Sequence, residues 1–133
     1  MSVYLASLTS FALYFVASVG LGGAFMLVYT WITPYAEAKL IADGNRAAAI
    51  SLVGAGLGFV IPLASAIAHS LDIIDMVLWG VVAMTVQLAL YLLVRVAVPS
   101  LVAAISADRG SVAIALAGLS LGVGVLNAAC MTF

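Results

Sequence analysis

Charge is what this sequence has least of. Four of its 133 residues are basic and five acidic, 7% together, against the roughly 25% of a soluble domain. With 67% hydrophobic residues and a mean hydropathy of +1.35, no water-soluble fold of this size could hide its apolar surface. The single cysteine, Cys130, excludes an internal disulfide and a multi-cysteine metal site. The single histidine, His69, excludes a bis-histidine haem within one chain. A net charge of −1 leaves no electrostatic footprint for nucleic acid. Nucleophile, base and orienter cannot be assembled from one histidine and one cysteine at different helix ends, so the expectation is a protein that is not an enzyme and carries no cofactor.

What is present is long apolar runs. Positions 1–36, 47–68, 76–94 and 110–133 carry no charge, runs of 36, 22, 19 and 24 residues. About 20 apolar residues in a helix cross a hydrocarbon core of ~30 Å, so each run can span. Lipid offers no partner to free backbone groups, and nothing here alternates with the two-residue period of a barrel strand, so the fold class is all-α integral membrane. The first run lacks a basic start and is too long for a secretory signal, and is read as a helix of the mature protein. The pattern predicts spans over Leu5–Ile32, Ala47–His69, Ile73–Val98 and Ser111–Thr132 in a single membrane domain, 1–133. Thr33-Pro34 reads as an N-cap with proline at the first helical position, which predicts a short interfacial helix Pro34–Ala42 after the first span. Its Tyr35, Leu40 and Ile41 beside Glu37, Lys39 and Asp43 suit the lipid headgroups. Asn45 then caps the second span.

The four basic residues fall on one side of this topology: Lys39 and Arg46 in the first loop, Arg95 at the end of the third span, Arg109 in the last loop. The positive-inside rule makes that face cytoplasmic and both termini periplasmic. Trp31 and Tyr35 suit the inner aromatic belt, Tyr4 and Trp79 the outer one.

An offset of 64 superposes the fourth span on the second. Ala49, Ile50, Leu52, Gly54, Leu57, Gly58 and Ala64 fall on Ala113, Ile114, Leu116, Gly118, Leu121, Gly122 and Ala128, and Pro34 meets Pro99 one residue further on. Two parallel two-helix repeats follow, about 1–69 and 70–133, although the first and third spans match poorly. Gly54 with Gly58, and Gly118 with Gly122, form GxxxG patterns that let helices approach closely, within one subunit or between two.

Gln87, Tyr91 and Arg95 stack along one face of the third span at i, i+4 and i+8. Such a stripe either lines a hydrated path or reduces to an interhelical hydrogen bond from Gln87, packing by Tyr91 and a snorkelling Arg95. Gln87, near the middle of its span, cannot snorkel. Ser120, Gly124 and Asn127 share a face of the fourth span, as Ser65 and His69 do in the second. Gln87 and Asn127 have only Gly23 and Leu63 at the matching positions of the first half, so polar function or oligomer glue is expected in the second. His69, Asp72 and Asp75 could be written as a metal site, but one histidine and two carboxylates fall short of a closed ligand set. Asp72 and Asp75 read better as caps of the third span.

The runs Ile32-Thr33-Pro34-Tyr35, Gly44-Asn45-Arg46-Ala47-Ala48-Ala49-Ile50 and Gly54 to Ala68, with Gln87 and the ending Leu126-Asn127-Ala128-Ala129-Cys130-Met131, resemble the YjfL-like family of bacterial inner-membrane proteins. The resemblance covers nearly the whole chain. It implies a location in the bacterial inner membrane and this architecture, and supplies no reaction and no catalytic residue. The expected function is that of a small helical subunit in the lipid bilayer, assembling with itself or with a partner membrane protein. The alternative is a homo-oligomeric pore for small solutes or ions, lined by Gln87, Asn127 and serines. A proton-coupled transporter is disfavoured because no buried Asp, Glu or Lys is expected to be available for a proton relay.

Overall fold

The computed structural model describes residues 1–131. Its elements are α1 (Ser2–Ile32), α2 (Glu37–Ala42), α3 (Arg46–His69), α4 (Ile73–Ala97), α5 (Leu101–Ser106) and α6 (Gly110–Cys130), with no strand among the described residues. α1, α3, α4 and α6 are each long and apolar enough to cross a membrane. At 1.5 Å per residue even the 21 residues of α6 cover about 31 Å. The four agree with the expected spans to within a few residues. Thr132, the expected end of the last span, lies outside the described residues.

α3 sits at the centre. It packs most extensively on α6, then on α4, and less on α1 and α2. The α3–α6 seam is built from small residues because nothing larger fits. A Cβ on Gly54 would lie 2.5 Å from Ala117 Cα, one on Gly58 would collide with the Ser120 carbonyl, and one on Gly124 with the Gly58 backbone. On α6 the seam therefore follows Ala113, Ala117, Ser120 and Gly124. Gly118 and Gly122 are on the outer face, and a Cβ at either meets no atom within 4 Å. α1 is the least engaged helix, burying only Phe25 and Tyr29. Phe25 stacks on Phe59 of α3 with ring centroids 4.7 Å apart.

Two expectations for the first corner need correction. Thr33 does not cap α2. It ends α1 in an extended conformation, as a residue before proline must, with its N–H on the Tyr29 carbonyl at 3.1 Å and its hydroxyl on the Thr30 carbonyl at 3.1 Å. The short helix consequently begins at Glu37 rather than Pro34, and Glu37 and Tyr35 turn inward, 2% and 8% exposed, instead of facing headgroups.

A second six-residue helix, α5, follows α4 and was not anticipated. Its corner shares a hydrogen-bond pattern with that of α2. Gly44 N–H donates to the Ile41 carbonyl at 3.0 Å, and Asp108 N–H to that of Ile105 at 3.1 Å. Asn45 N–H donates to Leu40 at 2.8 Å, and Arg109 N–H to Ala104 at 2.9 Å. Gly44 and Asp108, 64 positions apart, carry the two positive φ angles among the described residues, +88° and +59°. Glycine takes that conformation freely and aspartate tolerates it.

The corners also hold each other. Asn45 accepts from Ala48 N–H at 2.8 Å, as expected of a cap, while its amide donates to the Ile105 and Ser106 carbonyls at 3.0 and 3.3 Å. Asp108 accepts from Ala47 N–H at 2.8 Å. The start of α3 is thus capped by one side chain from each corner.

Candidate functional site

The polar centre of the bundle is made by a proline and a glutamine. Pro62 lies inside α3, where its missing N–H leaves the carbonyl four residues back, that of Gly58, without a helical donor. Gln87 of α4, 2% exposed, reaches across the gap left by Gly58. Its Nε2 donates to the Gly58 carbonyl at 3.0 Å and to the Ser120 carbonyl of α6 at 2.9 Å. One amide therefore joins three spanning helices, while its Oε1 stays buried without a hydrogen-bond partner. Gly58 has to be glycine for this contact, since a Cβ there would fall 2.7 Å from Nε2. The sequence reading singled out Gln87 and Ser120 but not Pro62. The available signal was the four-residue spacing from Gly58 to Pro62.

One turn on, Tyr91 is 2% exposed and meets Tyr29 of α1 edge to face, centroids 5.3 Å apart. Its hydroxyl donates to that of Tyr35 at 3.5 Å. Burial raises the Tyr35 phenol well above its ordinary range. Arg95, a further turn along, is half-buried.

Beside these rings lies Glu37, with neither carboxylate oxygen hydrogen-bonded. Burial pushes its carboxyl up to about 7, partly offset by the adjacent Thr33. The Thr33 hydroxyl itself donates to the Thr30 carbonyl at 3.1 Å. No buried carboxylate had been expected inside the fold. In sequence Glu37 sits near Lys39 and Asp43, and the bends at Thr33, Pro34 and Tyr35 turn it inward at the start of α2, which packs on α3.

The remaining candidates are dispersed. At the opposite end the Ser65 hydroxyl donates to the Ala128 carbonyl at 3.1 Å, tying α3 to α6. Asn127 is half-buried and its amide nitrogen lacks a partner. His69 is exposed and its Nδ1 lies 2.9 Å from the Ser65 carbonyl, turned onto its own helix. Asp72 accepts from Asp75 N–H at 2.9 Å and Asp75 from Leu71 N–H at 3.0 Å, a reciprocal cap that commits both carboxylates. No group of three potential metal ligands occurs among the described residues. Lys39, Arg46 and Arg109 are exposed, and with Arg95 they all lie at the bundle end opposite His69.

Four spanning helices, tied at mid-depth by one amide and closed at one end over an aromatic cluster, define a small multi-pass membrane protein. The chain belongs to the family described as Domain of Unknown Function (DUF350), which matches residues 2–131. It is similar to the UPF0719 inner membrane protein YjfL of Escherichia coli (strain K12), 36% identical over 127 residues and 96% of each chain. The protein of the same name from Escherichia coli O157:H7 matches to the same extent. No solved structure matches.

Proposed function

We propose that this protein is a non-enzymatic subunit of the bacterial inner membrane that works by assembling with further copies of itself. The observation that carries this reading is the outer face of α6, where Gly118 and Gly122 leave bare backbone with nothing against it. Small-residue surfaces of that spacing drive helix association in lipid through close van der Waals contact. Asn127, with an unpartnered amide nitrogen, lies on the same helix.

The inner-membrane location follows that of the curated relatives. The basic end of the bundle is cytoplasmic, both termini are periplasmic, and α2 and α5 lie at the cytoplasmic interface. The bundle is a tandem of two parallel helix pairs. The matching corner bonds and the 64-residue offset between Gly44 and Asp108 support that tandem.

No path through one subunit is supported. Both hydrogens of the Gln87 amide are spent on carbonyls, and α3 and α6 touch backbone to backbone. Native mass in a mild detergent, with and without Gly122→Leu, tests the assembly. The parent is expected to run as a multimer, and the variant to lose subunits while keeping its helix content. A parent monomeric in both detergent and lipid nanodiscs would overturn the reading. Reconstituted parent vesicles should be as tight to small ions as empty ones, and a leak would favour a pore between subunits.

A further inference from the structure

Glu37 is the buried group that the packing scheme does not use. It is 2% exposed, it opens α2, which packs against α3, and both its oxygens are without a hydrogen-bond partner. Tyr29 from α1, Tyr35 from the connecting segment and Tyr91 from α4 all lie within electrostatic reach of it. Charges that could neutralise it are elsewhere. Lys39 and Asp43 on α2 and its C-cap are exposed, as is Arg46 at the start of α3, and His69 is at the far end of that helix. Arg95 of α4 acts on Tyr91 from the next turn. α5 has no ionisable side chain, and Arg109 before α6 is exposed.

An ionised carboxylate buried without a partner is costly enough that such groups neutralise instead. A divalent cation would need further charged oxygens, and the other four acidic residues are not at hand. Asp108 is engaged with the start of α3, Asp72 and Asp75 cap α4 at the opposite end, and Asp43 faces solvent. What remains is the smallest cation.

We propose that Glu37 is a proton-binding site, and that the bundle closes α2 over this carboxyl in its neutral form. The neutral acid spares the buried site the unpaired charge that an ionised carboxylate would leave there. The linkage has a definite sign. The folded carboxyl titrates near 7 against an ordinary 4.5, so between those values the folded state holds a proton that the unfolded chain has released. Stability is full below about 4.5, falls as the pH rises to about 7, and stays lower above it.

Glu37 is the single glutamate in the chain, so carbon-13 labelling of glutamate δ-carbons follows this carboxyl by NMR without any substitution. The δ resonance of purified parent protein in nanodiscs is expected to titrate with a midpoint close to neutrality. A midpoint in the ordinary carboxylate range would overturn the proposal. The melting temperature of the parent should fall from pH 5 to pH 8, while Glu37→Gln should be flat over that window and melt higher than the parent at pH 8. Equal slopes for the two proteins would also overturn it. The titration is repeated in choline, sodium and potassium chloride. An unchanged midpoint supports the proton as occupant, and a midpoint displaced by sodium or potassium alone would show an alkali cation there instead.

Discussion

Pro62 takes one amide hydrogen out of the middle of α3, and Gln87 puts one back from another helix. In lipid that exchange matters more than the residue types suggest, because no water can reach the freed Gly58 carbonyl. Gln87→Leu is expected to destabilise the bundle by about 0.6 kcal/mol, and by no more than ~1.7, the measured span for interhelical hydrogen bonds in membranes. Pro62→Ala restores a donor within α3, so Gln87→Leu should cost less in that background than in the parent. The check is a double-mutant cycle of unfolding in mixed micelles. Strict additivity would mean that the glutamine does not answer the proline. Gln87 was legible in the sequence as a polar side chain too deep to snorkel. Its partner was not, because a carbonyl of glycine has no side chain to mark it.

At the scale of elements, α3 depends on both corners for its first turn and on α6 for its length. Asn45→Ala removes an N-cap and the two bonds to the α5 corner, and should cost about 1 kcal/mol or somewhat more. Asp108→Ala should cost a similar amount although it lies 61 residues from the Ala47 N–H it serves, and thermal melting of both variants checks this. Along the seam, Gly58→Leu drives a side chain into the Ser120 carbonyl and is expected to destabilise by roughly 1–3 kcal/mol or to block folding. Gly122→Leu meets open space and should leave the monomer's melting unchanged. Similar losses for the two leucine variants would show that α6 is rotated from the orientation described. The GxxxG pattern in α6 reads the same as the one in α3, yet helix rotation puts one pair on the seam and the other outside. Spacing alone cannot choose between faces of a helix that is apolar all round.

For the whole molecule, the sidedness of the basic residues makes a topological prediction. In a Cys130→Ser background, single cysteines at Ser2 and Asp72 should react with an impermeant thiol reagent on intact cells. A cysteine at Asp108 should stay unlabelled until the membrane is opened. External labelling at position 108 would invert the orientation. Lys39, Arg46, Arg95 and Arg109 share one end of the bundle because successive spans run antiparallel, which needs no contact between them.

By itself the sequence determined that the chain is helical, that four segments can cross a membrane and where each begins and ends within a few residues. Those properties follow from local matters: runs of apolar side chains, the backbone's need for internal hydrogen bonds, and caps such as Asn45 and Asp72 beside the groups they satisfy. Only the tertiary structure decided that Glu37 is buried, that Tyr35 leaves the interface for Tyr91, and that Gly118 and Gly122 face outward. Each of these depends on where another element lies. The bends at Thr33, Pro34 and Tyr35 lead the chain into α2, which packs on α3, and the rotation of α6 is set by the close approach of Gly54 and Gly58. A residue's hydropathy is a property of its side chain, but its burial belongs to its neighbours, and for Glu37 the two point in opposite directions.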